Sequence, residues 1–226
     1  MSDKSAISAN RQALLDTIAA AAGAAGRKPG DITLVAVSKR QSEERLDAAL
    51  AAGQRVFGEN RVQEAQAHWS ARRADYPDLE LRLIGPLQSN KADDAVALFD
   101  VIETLDRDKL AAALRKAMDA QGRTPRLYVQ VNTGEEDQKA GVAPAELPDF
   151  LARMRQVYGF EIEGLMCIPP VEEPAGLHFA LLDTLARENG VARLSMGMSG
   201  DFETAVALGA TSVRVGTAFF GEREVS

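Results

Sequence analysis

RLSMGMSGDFETAVALGATSVRVGT, residues 193–217, holds one complete copy of the pattern that decides the fold. An apolar run of strand length (193–198) gives way to a helical pattern. Phe202, Ala205, Val206 and Gly209 follow the i, i+3, i+4, i+7 spacing of one buried helix face, and a second apolar run (212–217) comes next. Both runs are too continuous in apolarity for half-exposed antiparallel strands. Parallel strands covered by helices read this way.

Moving toward the N-terminus, the same alternation recurs. Apolar runs lie at ITLVAVS (32–38), RVFG (55–58), LRLIG (81–85), DVIETL (100–105), RLYVQVN (126–132) and EIEGLMCI (161–168), which with the two above makes eight. Helical patterns fall between them, at Leu46, Ala49, Leu50 and Gly53, at Leu110, Ala113, Leu114 and Ala117, and at Leu147, Phe150, Leu151 and Met154. Gly53, Gly122, Gly190 and Gly209 stand where helices should stop before the next strand. No Ser/Gly-rich linker interrupts the series, which predicts one domain over residues 1–226. Eight strand–helix units predict an α/β fold, a (β/α)8 TIM barrel, usually ~250 residues long. Here an extra helix, about 5–27, precedes the first strand. The competing architecture, an open doubly wound sheet, rarely needs eight evenly spaced strands.

Composition narrows the function. At 46% hydrophobic and 26% charged the chain is globular, and a net charge of -7 argues against nucleic acid, whose phosphates must be neutralised by Lys and Arg. The opening MSDKSAISANRQ has no apolar core of a signal peptide, and the longest helical apolar stretch, LLDTIAAAAGAA, falls short of the ~20 apolar residues of a membrane span. A single cysteine, Cys167, suits a reducing compartment. These features predict a soluble, cytoplasmic protein.

In such barrels chemistry gathers where strands end in loops at the carboxyl-terminal face. The first strand ends in Ser38-Lys39, the second in Gly58-Glu59-Asn60 and the sixth at Cys167. The last two end in Ser199-Gly200 and in Arg214-Val215-Gly216-Thr217. Barrels commonly bind phosphate with the loops after strands seven and eight, beside a helix N-terminus. Ser199 also reads as a plain helix N-cap, Lys39 as a solvated residue, and Arg214 as half of a salt bridge with a carboxylate such as Glu59. A lysine opposite a phosphate cradle could instead hold a phosphorylated carbonyl compound as an imine. Other chemistries lack their parts. His68 and His178, the two histidines, fall on helical segments of the outer layer, no zinc spacing exists, and no strand is followed by GxGxxG. Cys167 reads as a small buried residue or a nucleophile, and Met166, Met196 and Met198 as pocket lining.

VAVSK, FGENRVQE (57–64), IGPLQSNK (84–91), VNTGEEDQKAGV (131–142), GLMCIP (164–169) and SMGMSGDFETAVALGATSVRVGTAFFG (195–221) form an ordered series. It strongly resembles the pyridoxal phosphate homeostasis protein family, single-domain relatives of the alanine racemase N-terminal barrel, from about residue 9 to Gly221. The resemblance implies a fold type III site for pyridoxal 5′-phosphate (PLP), with Lys39 carrying the cofactor as a covalent imine. It further implies that Ser199, Gly200, Gly216 and Thr217 hold the phosphate, that Arg214 faces the pyridine nitrogen, and that Asn60 lies by the ring or its phenolic oxygen. The expected role is PLP homeostasis: buffering, protecting or delivering the cofactor, with apo PLP-dependent enzymes as possible recipients, in a monomer or weak homodimer. Against it stand a PLP-dependent racemase and an aldolase-like lysine enzyme. A racemase of this fold would need an opposed tyrosine from a C-terminal domain, and the expectation here is that the chain lacks one. The aldolase would need acid–base carboxylates around its lysine.

Overall fold

The computed structural model of the protein describes residues 3–221. All eight apolar runs become strands: β1 (Thr33–Val37), β2 (Val56–Glu59), β3 (Glu80–Leu83), β4 (Val101–Leu105), β5 (Arg126–Gln130), β6 (Ile162–Met166), β7 (Arg193–Ser195) and β8 (Ser212–Val215). They pair in parallel and in sequence order into a closed barrel. β1 seals the ring by pairing with β2 on one side and with β8 on the other, Leu34 opposite Val213 and Ala36 opposite Val215.

Nine helices are seen among the described residues: α1 (Asp3–Ala24), α2 (Glu43–Ala51), α3 (Val62–Trp69), α4 (Ala92–Leu98), α5 (Asp108–Gln121), α6 (Leu147–Gln156), α7 (Ala175–Glu188), α8 (Phe202–Ala207) and α9 (Thr217–Phe220). α1 is the extra helix, and it stops at Ala24 rather than near residue 27. Gly26, at φ 69, takes the left-handed conformation of a Schellman turn, in which Arg27 N–H reaches the Ala22 carbonyl at 2.8 Å and Gly26 N–H that of Gly23 at 3.1 Å. α1 packs on α2, α8 and α9, through a buried stripe of Ile7, Leu14, Ile18 and Ala22. It thus covers the outside of the β8–β1 seam. No helix among the described residues is long and apolar enough to cross a membrane.

Side chains alternate along each strand, one set toward the helices and one toward the lumen. In β1, Leu34 and Ala36 join the aliphatic layer between sheet and helices, whereas Val35 and Val37 are buried outside that cluster. Small residues make room inside: a Cβ at Gly58 would lie 2.9 Å from Ile84, and one at Gly164 only 2.4 Å from the Tyr128 ring. The lumen is also charged. Arg82, Glu103 and Arg214 are 4%, 0% and 3% exposed, with the Ser195 hydroxyl buried among them.

Candidate functional site at the barrel mouth

Continuing the β1 alternation past Val35 and Val37 brings Lys39 to the lumen side at the carboxyl-terminal mouth. There it lines a cavity of about 270 Å³ together with Val37, Gln41, Met198, Gly221 and residues of the last two strand ends. Those are Ser199, Gly200, Arg214, Gly216 and Thr217, so the structure brings together six of the seven candidate residues. Asn60 is the exception. It borders a neighbouring hollow between the loops after β2 and β3, with Arg61, Gln88 and Lys91.

Among the described residues, the lining of the mouth cavity holds two cationic side chains, Lys39 and Arg214, and no carboxylate. Among the described residues no acceptor takes a hydrogen bond or ion pair from the Lys39 amine. A larger hollow of about 510 Å³ opens at the start of β5 and β6. Its cations are already matched: Arg126 pairs with Glu80 and Glu163, and Arg115 with Asp119.

The residues on either side of Lys39 are pinned. The Ser38 hydroxyl donates to Glu59 Oε1 at 2.7 Å, and the same oxygen accepts Trp69 Nε1–H at 2.9 Å and lies 2.9 Å from His68 Nδ1. Arg40, at a left-handed φ of 57, donates its backbone N–H to the Glu64 carboxylate. Left-handed backbone is uncommon for a non-glycine residue and persists where surroundings hold it. Glu59, Glu64 and His68 lie close enough together to suggest metal ligands. Three donors already converge on Glu59 Oε1, however, so the cluster works as a hydrogen-bonded clasp on the Lys39 turn. The Glu59 contact raises the His68 pKa above its ordinary value, against the opposing effect of burial. Both histidines do sit on outer-layer helices, but they are buried and turn inward to strand ends. His178 Nδ1 meets the Thr133 hydroxyl at 3.1 Å, just beyond β5.

The loops after β7 and β8 are built differently from a long helix start. The N-cap of α8 is Asp201, whose Oδ1 accepts the Met198 N–H at 2.6 Å, so Ser199 is not the cap. Its hydroxyl accepts only a long 3.5 Å bond from the Ala218 N–H. α8 is 6 residues long, too short for much of a macrodipole; donors to an anion would come from the turns themselves. A Cβ at Gly200 would meet nothing within 4 Å, and one at Gly216 only Val37 at 3.5 Å. Neither glycine is demanded by packing within the protein.

Arg214 forms no salt bridge with Glu59. Its Nη1 donates to the Ser195 hydroxyl at 2.7 Å and its Nη2 to the Cys167 carbonyl at 2.8 Å. Cys167 is fully buried, and burial pushes its thiol up to about 12 despite the nearby Arg214 charge. It is no nucleophile at neutral pH, because the reactive species is the thiolate. Native protein should therefore resist iodoacetamide at pH 8 and take up one label only after unfolding; rapid native labelling would contradict this burial. Of the three methionines expected to line the pocket, Met198 does, whereas Met166 and Met196 are fully buried in the barrel wall.

Comparison with known proteins adds sequence and fold relatives. Residues 10–224 match the family model of the alanine racemase N-terminal domain. The pyridoxal phosphate homeostasis protein of Pseudomonas aeruginosa is 41% identical over 225 residues, covering 97% of each chain. The structure of PipY from Synechococcus elongatus with PLP bound aligns with a TM-score of 0.77 at 41% identity, over 90% of this chain and 100% of that one. An alanine racemase of Clostridium difficile shares the fold alone, with a TM-score of 0.72 at 14% identity over 96% of this chain and 57% of the racemase.

Proposed function

Starting from a chain that belongs to the pyridoxal phosphate homeostasis protein family, within the wider alanine racemase N-terminal domain family, we propose that it binds PLP and serves its homeostasis without committed turnover. The observation that carries this reading is the mouth cavity itself. Among the described residues it has one unpaired amine, a second cation, glycine-rich turns and no acid in its lining. That suits a doubly anionic phosphate and an aldehyde on one small molecule. PLP supplies the electrophilic carbonyl and the electron-sink ring; the chain supplies the rest.

In this reading Lys39 holds the aldehyde as a Schiff base, with the clasp around Glu59 keeping the amine aimed at the lumen. Ser199, Gly200, Gly216 and Thr217 take the phosphate through amides and hydroxyls, and Arg214 faces the ring nitrogen. Asn60 borders the neighbouring hollow, so a place beside the ring is the assignment that the cavity favours least. The site is cytoplasmic in this reading, and apo PLP-dependent enzymes are the recipients.

Racemisation needs a proton carrier on each side of the substrate carbon, and general acid–base help is typically worth about 10²–10⁴-fold per group. Lys39 could serve on one side. Among the described residues no Tyr, His, Asp or Glu lines the cavity to serve on the other. The deciding experiment incubates holo-protein with L- and D-alanine for chiral analysis and, in parallel, with an apo-aminotransferase. Reactivation of the aminotransferase with alanine racemisation near background is expected. Racemisation at enzyme-like rates that disappears in Lys39→Ala would establish an enzyme instead.

The phosphate assignment has its own test. A hydrogen bond to a charged group contributes about 1.5–3 kcal/mol, roughly ten- to a hundredfold in affinity. Ser199→Ala should weaken PLP by that factor and leave pyridoxal, which lacks the phosphate, nearly unaffected. Equal weakening of both ligands would remove Ser199 from the phosphate site.

A further inference from the structure

We propose that Ser195 and Glu103, which do not line the mouth cavity, are positioning residues that set Arg214 for its contact with the ring nitrogen of PLP. The inference rests on the reading that Arg214 faces that nitrogen.

A directional chain crosses the lumen. Arg214 Nη1 donates to Ser195 Oγ at 2.7 Å, and the Ser195 hydroxyl donates in turn to Glu103 Oε2 at 2.5 Å. Glu103 Oε1 accepts Arg82 Nη1 at 3.1 Å, and Arg82 Nε donates to Glu80 at 2.6 Å. Four barrel strands contribute, β8, β7, β4 and β3, and both carboxylate oxygens of Glu103 are used. Ser195 and Glu103 are each 0% exposed, so water cannot replace either partner.

The order of donors fixes the chemistry. A serine that receives a guanidinium N–H must turn its own proton elsewhere, and a carboxylate is the strongest available acceptor. Each donor polarises the next, so the chain is stiffer than its separate bonds. With Nη1 held by Ser195 and Nη2 by the Cys167 carbonyl, the Arg214 plane is fixed. Among the described residues its Nε–H has no acceptor. Arg214 touches no carboxylate directly. One hydroxyl separates it from Glu103, so its orientation is set while its positive charge stays available at the cavity wall. A cation there favours an unprotonated ring nitrogen.

The test measures dissociation constants for PLP and for its 1-deaza analogue, in which a carbon replaces the ring nitrogen. Wild type, Arg214→Gln, Ser195→Ala and Glu103→Gln are compared, each first checked for a native circular dichroism spectrum and cooperative melting. Glu103→Gln is isosteric and carries the test if Ser195→Ala does not fold. Arg214→Gln should weaken PLP roughly tenfold or more and the deaza analogue by much less. Ser195→Ala and Glu103→Gln should show the same selective loss, and neither should add to Arg214→Gln in a double variant. Equal weakening of both ligands by Ser195→Ala and Glu103→Gln would mean a purely structural role and would overturn the proposal. Unchanged PLP binding in those two variants beside a selective loss in Arg214→Gln would overturn it too, while leaving Arg214 at the nitrogen. A non-selective Arg214→Gln would remove the ring-nitrogen reading and the inference with it.

Discussion

Lys39→Ala should abolish borohydride-reducible attachment of PLP and its visible absorbance while leaving the fold intact. Peptide mapping of reduced wild type should find the pyridoxyl group on the peptide containing VAVSK. Attack on an aldehyde needs an amine that reaches it, and Lys39 is the lysine that lines the cavity beside the Ser199-Gly200 and Gly216-Thr217 turns. Lys91 pairs with Asp94 at 3.5 Å and Lys139 with Glu136 at 2.5 Å, and neither lines the mouth cavity. A label chiefly on either would take Lys39 out of this role. Because Lys39 makes no hydrogen bond or ion pair among the described residues, its loss should change unfolding free energy by no more than about 0.5 kcal/mol.

Glu59→Ala should have the opposite profile, with a large loss of stability. The carboxylate is 0% exposed; its removal strands the Trp69 indole N–H and the His68 ring nitrogen and leaves the Ser38 hydroxyl only the Gly58 carbonyl, at 3.3 Å. Removing one member of a buried charged pair typically costs about 3–5 kcal/mol. Urea unfolding should show a loss of that order, and a loss below about 1 kcal/mol would mean that the clasp is not a fixed structure. The effect should also depend on pH. Folding raises the His68 pKa above its ordinary 6.5, so the pair's stabilisation is complete below 6.5 and fades as pH rises through the higher folded value. The gap between wild type and Glu59→Ala should therefore be wider at pH 6 than at pH 9. A gap that widened with pH would assign the proton to another group.

The barrel was legible because its strands carry the signature of full burial, and because both the helix faces and their stops repeat. The strand ends were legible too, since the rule that chemistry gathers there picks out Lys39, Arg214 and the two turns from the order of strands alone. Lumen chemistry was hidden by the same apolarity that revealed the strands. Arg82 in LRLIG, Glu103 in VIETL and Arg214 in SVRVG each look like a lone charge in an apolar run. Their shared lumen face emerges only once the register of the closed ring is known. The clasp was hidden for another reason: His68 and Trp69 arrive from a helix, and reading strand ends alone cannot see what a helix brings down onto them. Asn60 borders a different hollow from the other six candidate residues. FGEN places it one residue beyond β2, yet the backbone there turns its side chain toward the next hollow.

Ring closure between β1 and β8 also has a consequence in time. The amine comes from the first strand of the barrel and the anion cradle from the last two, so the two halves of the cavity are separated by most of the polypeptide. Synthesis at about 5–20 residues per second leaves Lys39 exposed for roughly ten seconds or more before Thr217 is made. Contacts of such high sequence separation form late, after the loop-closure entropy of the intervening chain has been met. On the proposed function, nascent chain on the ribosome would carry Lys39 before the turns proposed to hold the phosphate exist. On that reading, ligand capture would wait for the final pairing step, and bound PLP would then stabilise the closed ring by mass action. Occupancy and barrel stability would then report on one another.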